Sequence, residues 1–317
     1  MSMSIVFYAL RLSFIGLIAF VLCGQAAGIE GAIPSVYVTN YPLKYFAERI
    51  AGAHARVVFP APKNVDPAFW VPDLEAVQGY QQAELILLNG AGYEKWIDQV
   101  SLPQLKLVDT SSGFRSQYIK LAIAFSHTHG PGGEHTHGGT AVTTWLDFKL
   151  AERQAEVVAE ALRRLHPELA QSMAENYGAL KQDLAALDRQ MREIVAQDPQ
   201  KPLIASHPVY QYLAQGYGLN LRSLHWEPDA PPSEEQWAEL KRLLQEHPAN
   251  WLLWEKRPLA ATVTQLKALG VSSLVFDPCA NVPAPGDFLS LMRQNLENLK
   301  RALKTEGYSL EWTDHKV

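Results

Sequence analysis

A chain of 317 residues, 47% apolar and 19% charged, has an ordinary globular composition and is long enough for one large domain or two of usual size. Disorder is excluded for most of it. With 2 cysteines beside 20 glycines and 20 prolines, disulfide-dense and collagen-like scaffolds are excluded too. A net charge of −5 leaves no basic excess, so no nucleic-acid partner is expected.

Residues 12–28, LSFIGLIAFVLCGQAAG, carry no charge, follow Arg11 and end in small residues. A short apolar core between a cation and small residues reads as a secretory signal peptide, here cleaved near residues 26–28. The alternative is an N-terminal membrane anchor, at the short end of what spans a bilayer. Leu22 stands where a lipid-attachment signal at Cys23 needs a small residue. Cleavage leaves Cys279 with no intramolecular partner, and the mature protein is expected to be soluble and periplasmic.

Next, SVYV (35–38) is a β-branched and aromatic strand ending at the turn signal Thr39-Asn40. In PLKYFAERIAG, Leu43, Phe46 and Ile50 recur at helical spacing and Gly52 suits a C-terminal cap. VVF (57–59) is a strand, DLEAVQGYQQA a helix opening at Asp73, ELILLNGAG a buried strand and turn, YEKWIDQV a short helix and LKLVD a strand. Leu169, Met173, Tyr177, Leu180, Leu184, Leu187, Met191 and Ile194 then form one apolar stripe on a helix about 45 Å long. A single seam packing on the same chain explains this stripe more simply than a coiled coil. After residue 200 the alternation returns. LIAS (203–206), a run near 219–224, WLLW (251–254) and SLVF (273–276) are strands; PVYQYLAQGYG, EEQWAELKRLLQEH, LAATVTQLKALG and a segment near 287–303 are helices. Strands alternating with helices predict an α/β fold of two similar parallel-sheet lobes joined by one long rigid helix. The expected division is a signal peptide at 1–28, an N-terminal lobe at 34–166, the linking helix at 167–197 and a C-terminal lobe at 198–317.

Four of the 10 histidines, His127, His129, His135 and His137, lie in HTHGPGGEHTHGG. Imidazole is a common ligand for zinc, and the glycines make a loop over 127–137 that can fold around an ion. An expression tag is excluded so far from either terminus, while a merely solvated loop stays open. The pattern points to metal without distinguishing a main site from an auxiliary scavenger or a sensor. His207 follows strand LIAS and Asp277 follows strand SLVF. Ligands of open α/β sheets bind at the carboxyl ends of strands, so the two are a candidate metal half-site. The plain alternatives are a structural histidine and a turn or capping aspartate. Glu255, after WLLW, either orients a ligand or is a solvated carboxylate. His54, His166, His225, His247 and His315 have no recognisable partner.

NYPLKYFAERIAG, PAPKNVDPAFWVPDLEAVQGYQQAELILLNGAGYEKWID, the His-rich segment before TTWLD, SHPVYQYLAQGYGL and VFDPCAN succeed one another in a familiar order. Over about residues 35–303 the chain resembles the zinc- or manganese-binding substrate-binding proteins of metal ABC transporters (ZnuA/TroA-like). The resemblance implies a metal held between the lobes by three histidines and one carboxylate. Two of those four ligands are replaced: Ala68 and Thr143 stand at the two first-lobe histidine positions. His207 and the carboxylate Asp277 are kept. Two ligands do not make a tight tetrahedral zinc site, so His135 or His137 folding back into the cleft, or Asp66, would have to complete it.

The expected function is thus a periplasmic receptor that carries zinc to the membrane permease of an ABC transporter, as a monomer and without catalysis. Manganese fits less well, because it prefers oxygen ligands. A metal buffer or chaperone that has lost high-affinity transport is the alternative. A zinc metalloenzyme fits least, because the chain has no HExxH or GxSxG motif.

Overall fold

The computed structural model describes residues 33–304 apart from residue 64 and residues 129–133; of residues 122–138 it describes backbone course only. The expected signal peptide and the tail beyond residue 304 lie outside the described residues.

The first sheet contains β1 (Ser35–Val38), β2 (Arg56–Val58), β3 (Leu85–Leu88) and β4 (Leu107–Asp109), all parallel, in the order β2-β1-β3-β4. Every residue of β3 is buried, as a central parallel strand covered on both faces requires. Helix α1 (Tyr41–Ala51) starts at Asn40, whose side chain accepts from the Leu43 amide, and ends at Gly52 with φ +57°. Asp73 caps α2 (Leu74–Gln82) in the same way. The short helix expected in YEKWIDQV contracts to a three-residue 3-10 turn, Ile97–Gln99. Glu94 supplies the reason. Its carboxylate folds inward onto the Asn89 and Gly90 amides and leaves too little chain for a full turn.

The His-rich segment differs from the expected loop. β5 (Lys120–Thr128) and β6 (Glu134–Thr140) form an antiparallel ribbon in which His127 is opposite His135 and Phe125 opposite His137. A bulge lies between Leu121 and Phe125. His-Thr-His spacing is also the two-residue period of a strand, which the glycines obscured in sequence. His129 lies outside the described residues, as do the side chains of His127, His135 and His137. A further helix, α3 (Phe148–Leu165), had no counterpart in the sequence reading. Five of its nine buried residues are alanine or glutamine, a face that apolar periodicity underestimates.

The long helix α4 (Ala170–Val195) is 26 residues, shorter than expected because Pro167 opens a separate 3-10 turn, Pro167–Leu169. Met173, Leu180, Leu184, Leu187, Met191 and Ile194 of its stripe are buried. The second sheet has the order β10-β9-β7-β8, with β7 (Leu203–Ala205), β8 (Leu221–Ser223), β9 (Trp251–Trp254) and β10 (Ser272–Val275) all parallel. Its helices are α5 (Gln211–Tyr217), α6 (Glu234–Glu246), α7 (Ala260–Ala268) and α8 (Phe288–Leu303). Helix α4 packs on α1 and α3 and also on α8. One apolar core therefore runs from Val36 in the first sheet through Leu184 to Leu253 in the second. No described helix is long and apolar enough to cross a membrane.

Candidate metal centre

Segments following strands of both sheets line a cavity of about 760 Å³. Ala68, Tyr93, Thr143 and Trp145 line it from the first lobe, Pro208, Glu255, Asp277 and Asn281 from the second. Backbone and side chain hold the two walls together. Trp145 Nε1 donates to the Pro278 carbonyl at 2.7 Å, and the Asn281 amide donates to the carbonyls of Pro62 and Val65 at 2.7 and 2.8 Å.

Asp277 is fixed by its backbone. Asn295 on α8 accepts from its N–H at 3.0 Å and donates to its carbonyl at 2.7 Å, extending strand order two residues past β10. The carboxylate accepts the Cys279 amide at 2.7 Å, which holds the turn and places Cys279 at φ +61°. Burial pushes the Asp277 pKa up, against the opposing pull of that amide and of Lys256. A partly buried carboxylate that lines the cavity at a strand end has the chemistry of an oxygen ligand for a cation.

His207 also follows its strand, but its ring is 2% exposed and is not part of the cavity lining, which begins at Pro208. Its Nδ1 lies 3.7 Å from Glu227 Oε1, and its ring meets His225 edge-on at 5.9 Å. His225, which has no evident partner in sequence, thus joins His207 and Glu227 in a partly buried polar group past the ends of β7 and β8, and burial lowers its pKa. The adjacent Trp226 and Ser206 explain why it was not foreseen. Their backbones pair at 2.7 Å, carrying β8 past its expected end and bringing residues 225–227 beside 207.

Ala68 and Thr143 are both on the wall. Ala68 is 7% exposed, and its amide donates to Asp66 Oδ1 at 2.9 Å, so one role of Asp66 is to hold the turn. The Thr143 hydroxyl donates across the cleft to the Val209 carbonyl. Glu255 lines the cavity as well. So do Lys120, Leu121, Gly139 and Thr140, the base of the ribbon that carries the histidines. Among the described residues, no three His, Cys, Asp or Glu side chains form a set able to hold a metal ion.

Two residues escaped the sequence reading. Tyr93 lines the cavity with its ring edge-on to Trp145 at 5.7 Å, and its hydroxyl is buried with no hydrogen-bond partner among the described residues. Glu94 is buried beneath it and accepts from Thr39 Oγ1 and the Asn89 amide, both at 2.6 Å. Burial raises its pKa to about 7 in spite of these bonds. The turn Gly90-Ala91-Gly92, with all three residues at positive φ, was the available signal.

Residues 36–302 match the family described as the periplasmic zinc-uptake complex component A, ZnuA. The zinc-binding lipoprotein AdcA of Streptococcus pneumoniae is 26% identical over 309 residues, which are 92% of this chain and 60% of AdcA. The zinc-binding protein AdcA of Streptococcus pyogenes is 24% identical over 88% of this chain and 57% of its own length. The chain thus spans about 60% of the length of the curated relatives it matches. Among solved structures, the metal-dependent lipoprotein YcdH of Bacillus subtilis superposes with a TM-score of 0.73 at 21% identity, covering 86% of this chain and all 100% of YcdH. Zn(II)-bound AdcA of Streptococcus pneumoniae gives 0.71 at 23%, covering 90% of this chain and 61% of that one. At these identities the two structures establish the fold of two parallel-sheet lobes with a long helix.

Proposed function

The chain belongs to the ZnuA family, and we propose on that footing that it is an exported zinc-binding receptor that delivers its ion to the permease of an ABC transporter. The supporting observation is the cavity itself, which lies at strand ends of both sheets and is lined by Asp277 and by the base of the His-bearing ribbon. In this reading the ion is cargo. Asp277 supplies an oxygen, His207 an imidazole after a rotation of its ring toward Pro208, and His127, His135 or His137 the nitrogens absent at Ala68 and Thr143. Zinc suits such a mixed nitrogen and oxygen set, and manganese would want more oxygen. The protein works as a monomer and catalyses nothing. The division we propose is a signal peptide at 1–28, lobes at 34–166 and 198–317, and a linking helix at 167–197. Zinc content of the full-length gene product, purified from its native compartment and measured by elemental analysis with the N-terminus read by mass spectrometry, tests the reading. We expect one zinc per mature chain; a chain starting at Met1 in the membrane fraction, or no metal above background, would overturn it.

A further inference from the structure

We propose that Gln154, Asn89 and the Thr144 hydroxyl are positioning residues, a buried hub in the first lobe that clamps the second-lobe segments carrying His207 and Asp277. The proposal rests on the receptor reading above in naming those segments as the ligand-bearing ones. It gives the first lobe a mechanical part in the site.

Gln154 is 1% exposed on α3, whose buried face is otherwise apolar. Its Nε2 donates to Thr110 Oγ1 at 2.9 Å and to Asn89 Oδ1 at 3.2 Å, and its Oε1 accepts from Thr144 Oγ1 at 2.9 Å. Asn89 Nδ2 donates to the Val142 carbonyl at 3.0 Å, while Asn89 Oδ1 also accepts from Asn40 Nδ2 at 3.1 Å. Asn40, Asn89 and Thr110 follow β1, β3 and β4, and Val142 and Thr144 follow β6. Three strand ends and the exit of the ribbon are thus joined at one point.

Packing alone does not call for this network. Replacing both partners of a buried hydrogen bond by apolar groups of the same shape can be nearly neutral for stability. What a fully paired network adds is direction, because it admits one arrangement of the segments it joins.

The segments joined here reach into the second lobe. Tyr41, next to Asn40, donates its amide to the Ala280 carbonyl at 3.0 Å. Thr143 and Trp145, on either side of Thr144, donate to the carbonyls of Val209 and Pro278. Val209 is two residues past His207, and Pro278 and Ala280 are one and three residues past Asp277. A shift of the hub moves all three donors together and releases both ligand-bearing segments. Loss of a single donor leaves the other two in place.

Cys279 lies between the two accepting residues 278 and 280 and is 1% exposed, so its reactivity reports the clamp. The test is alkylation of the full chain by iodoacetamide without metal, at urea concentrations below the unfolding transition, followed on the Cys279 peptide by mass spectrometry. Gln154→Met fills the space without the amide. Thr144→Val keeps the shape without the hydroxyl, and Thr144→Ser keeps the hydroxyl. We expect alkylation about tenfold faster than wild type in Gln154→Met and about threefold faster in Thr144→Val, both nearly independent of urea, because a local opening exposes little surface. Thr144→Ser should stay within about twofold of wild type. Leu184→Ala, in the core common to both lobes, should instead show alkylation that rises steeply with urea through global unfolding. Zinc affinity, read by chelator competition, should fall about fivefold or more in Gln154→Met and Thr144→Val and hold within about twofold in Leu184→Ala. Wild-type alkylation rates in both hub variants, or acceleration with the urea slope of Leu184→Ala, would reduce the hub to packing and overturn the proposal. Faster alkylation with unchanged zinc affinity would overturn it as well. If wild type binds no zinc the receptor reading falls, and the alkylation rates still decide whether the hub clamps these segments.

Discussion

The hydroxyl of Thr143 donates to the backbone carbonyl of Val209, 2.5 Å away, and so ties the first lobe to the segment that follows His207 in the second. Thr143 thereby acts as an interlobe strut. Thr143→Val keeps the shape and removes the donor to a partly buried carbonyl. We expect a loss of about 1–2 kcal/mol in a denaturant titration. Zinc affinity should stay within twofold of wild type, because the hydroxyl is no ligand. A tenfold loss of zinc with unchanged stability would reassign Thr143 to the metal.

Asp277→Asn should weaken zinc binding at least tenfold, about 1.4 kcal/mol, with an unchanged far-UV circular dichroism spectrum. Asn295→Leu removes both side-chain bonds to the Asp277 backbone. It should weaken zinc too, and unlike Asp277→Asn it should also lower the melting temperature.

The ribbon register sets His127 opposite His135 and Phe125 opposite His137, which brings three of the four clustered histidines onto one short stretch of paired backbone. Single alanine replacements at these three positions should each reduce bound zinc, measured by competition with a chromogenic chelator. Thr136→Ala, which removes no imidazole, should not. Equal loss at all four would mean that the ribbon acts only through its fold.

Glu94 sets a pH dependence of stability. It titrates near 7 when folded and near 4.5 when exposed. Between those values the folded state binds more protons than the unfolded one, so stability falls as pH rises through this window and levels off above it. The whole effect is on the order of 3 kcal/mol. Glu94→Gln keeps an oxygen for the Asn89 amide and should flatten the decline in urea midpoint between pH 5 and pH 7.5. A parallel decline in the mutant would place its origin elsewhere.

Leu184 lies in the middle of α4, fully buried in the core common to both sheets. Leu184→Ala should cost about 2–5 kcal/mol. Because one core serves both lobes, unfolding should remain a single transition when followed by fluorescence and by circular dichroism. Two separated transitions would show that the lobes unfold independently.

Local pattern alone determined much of this protein. Apolar spacing placed α1 and α4, short apolar runs placed β1, β3, β7, β9 and β10, and Asp73 and Gly52 bound the helices their positions suggested, while Asn40, read as a turn, caps α1. These features depend on residues within a few positions of one another, and sequence records them directly. The two parallel sheets followed, because strands separated by helices have few other ways to pair. Three features needed the tertiary structure. The backbone pairing that turns the His-rich segment into a ribbon depends on which residues stand opposite, information absent from any single stretch. The grouping of His207 with His225 and Glu227 joins two strand ends that are neighbours only in the sheet order. The burial of Tyr93 and Glu94 depends on a positive-φ turn that folds a polar segment inward against residues roughly fifty positions away. Metal chemistry was legible as residue types. Which of those residues face the cleft is a matter of long-range packing, and only the folded chain decides it.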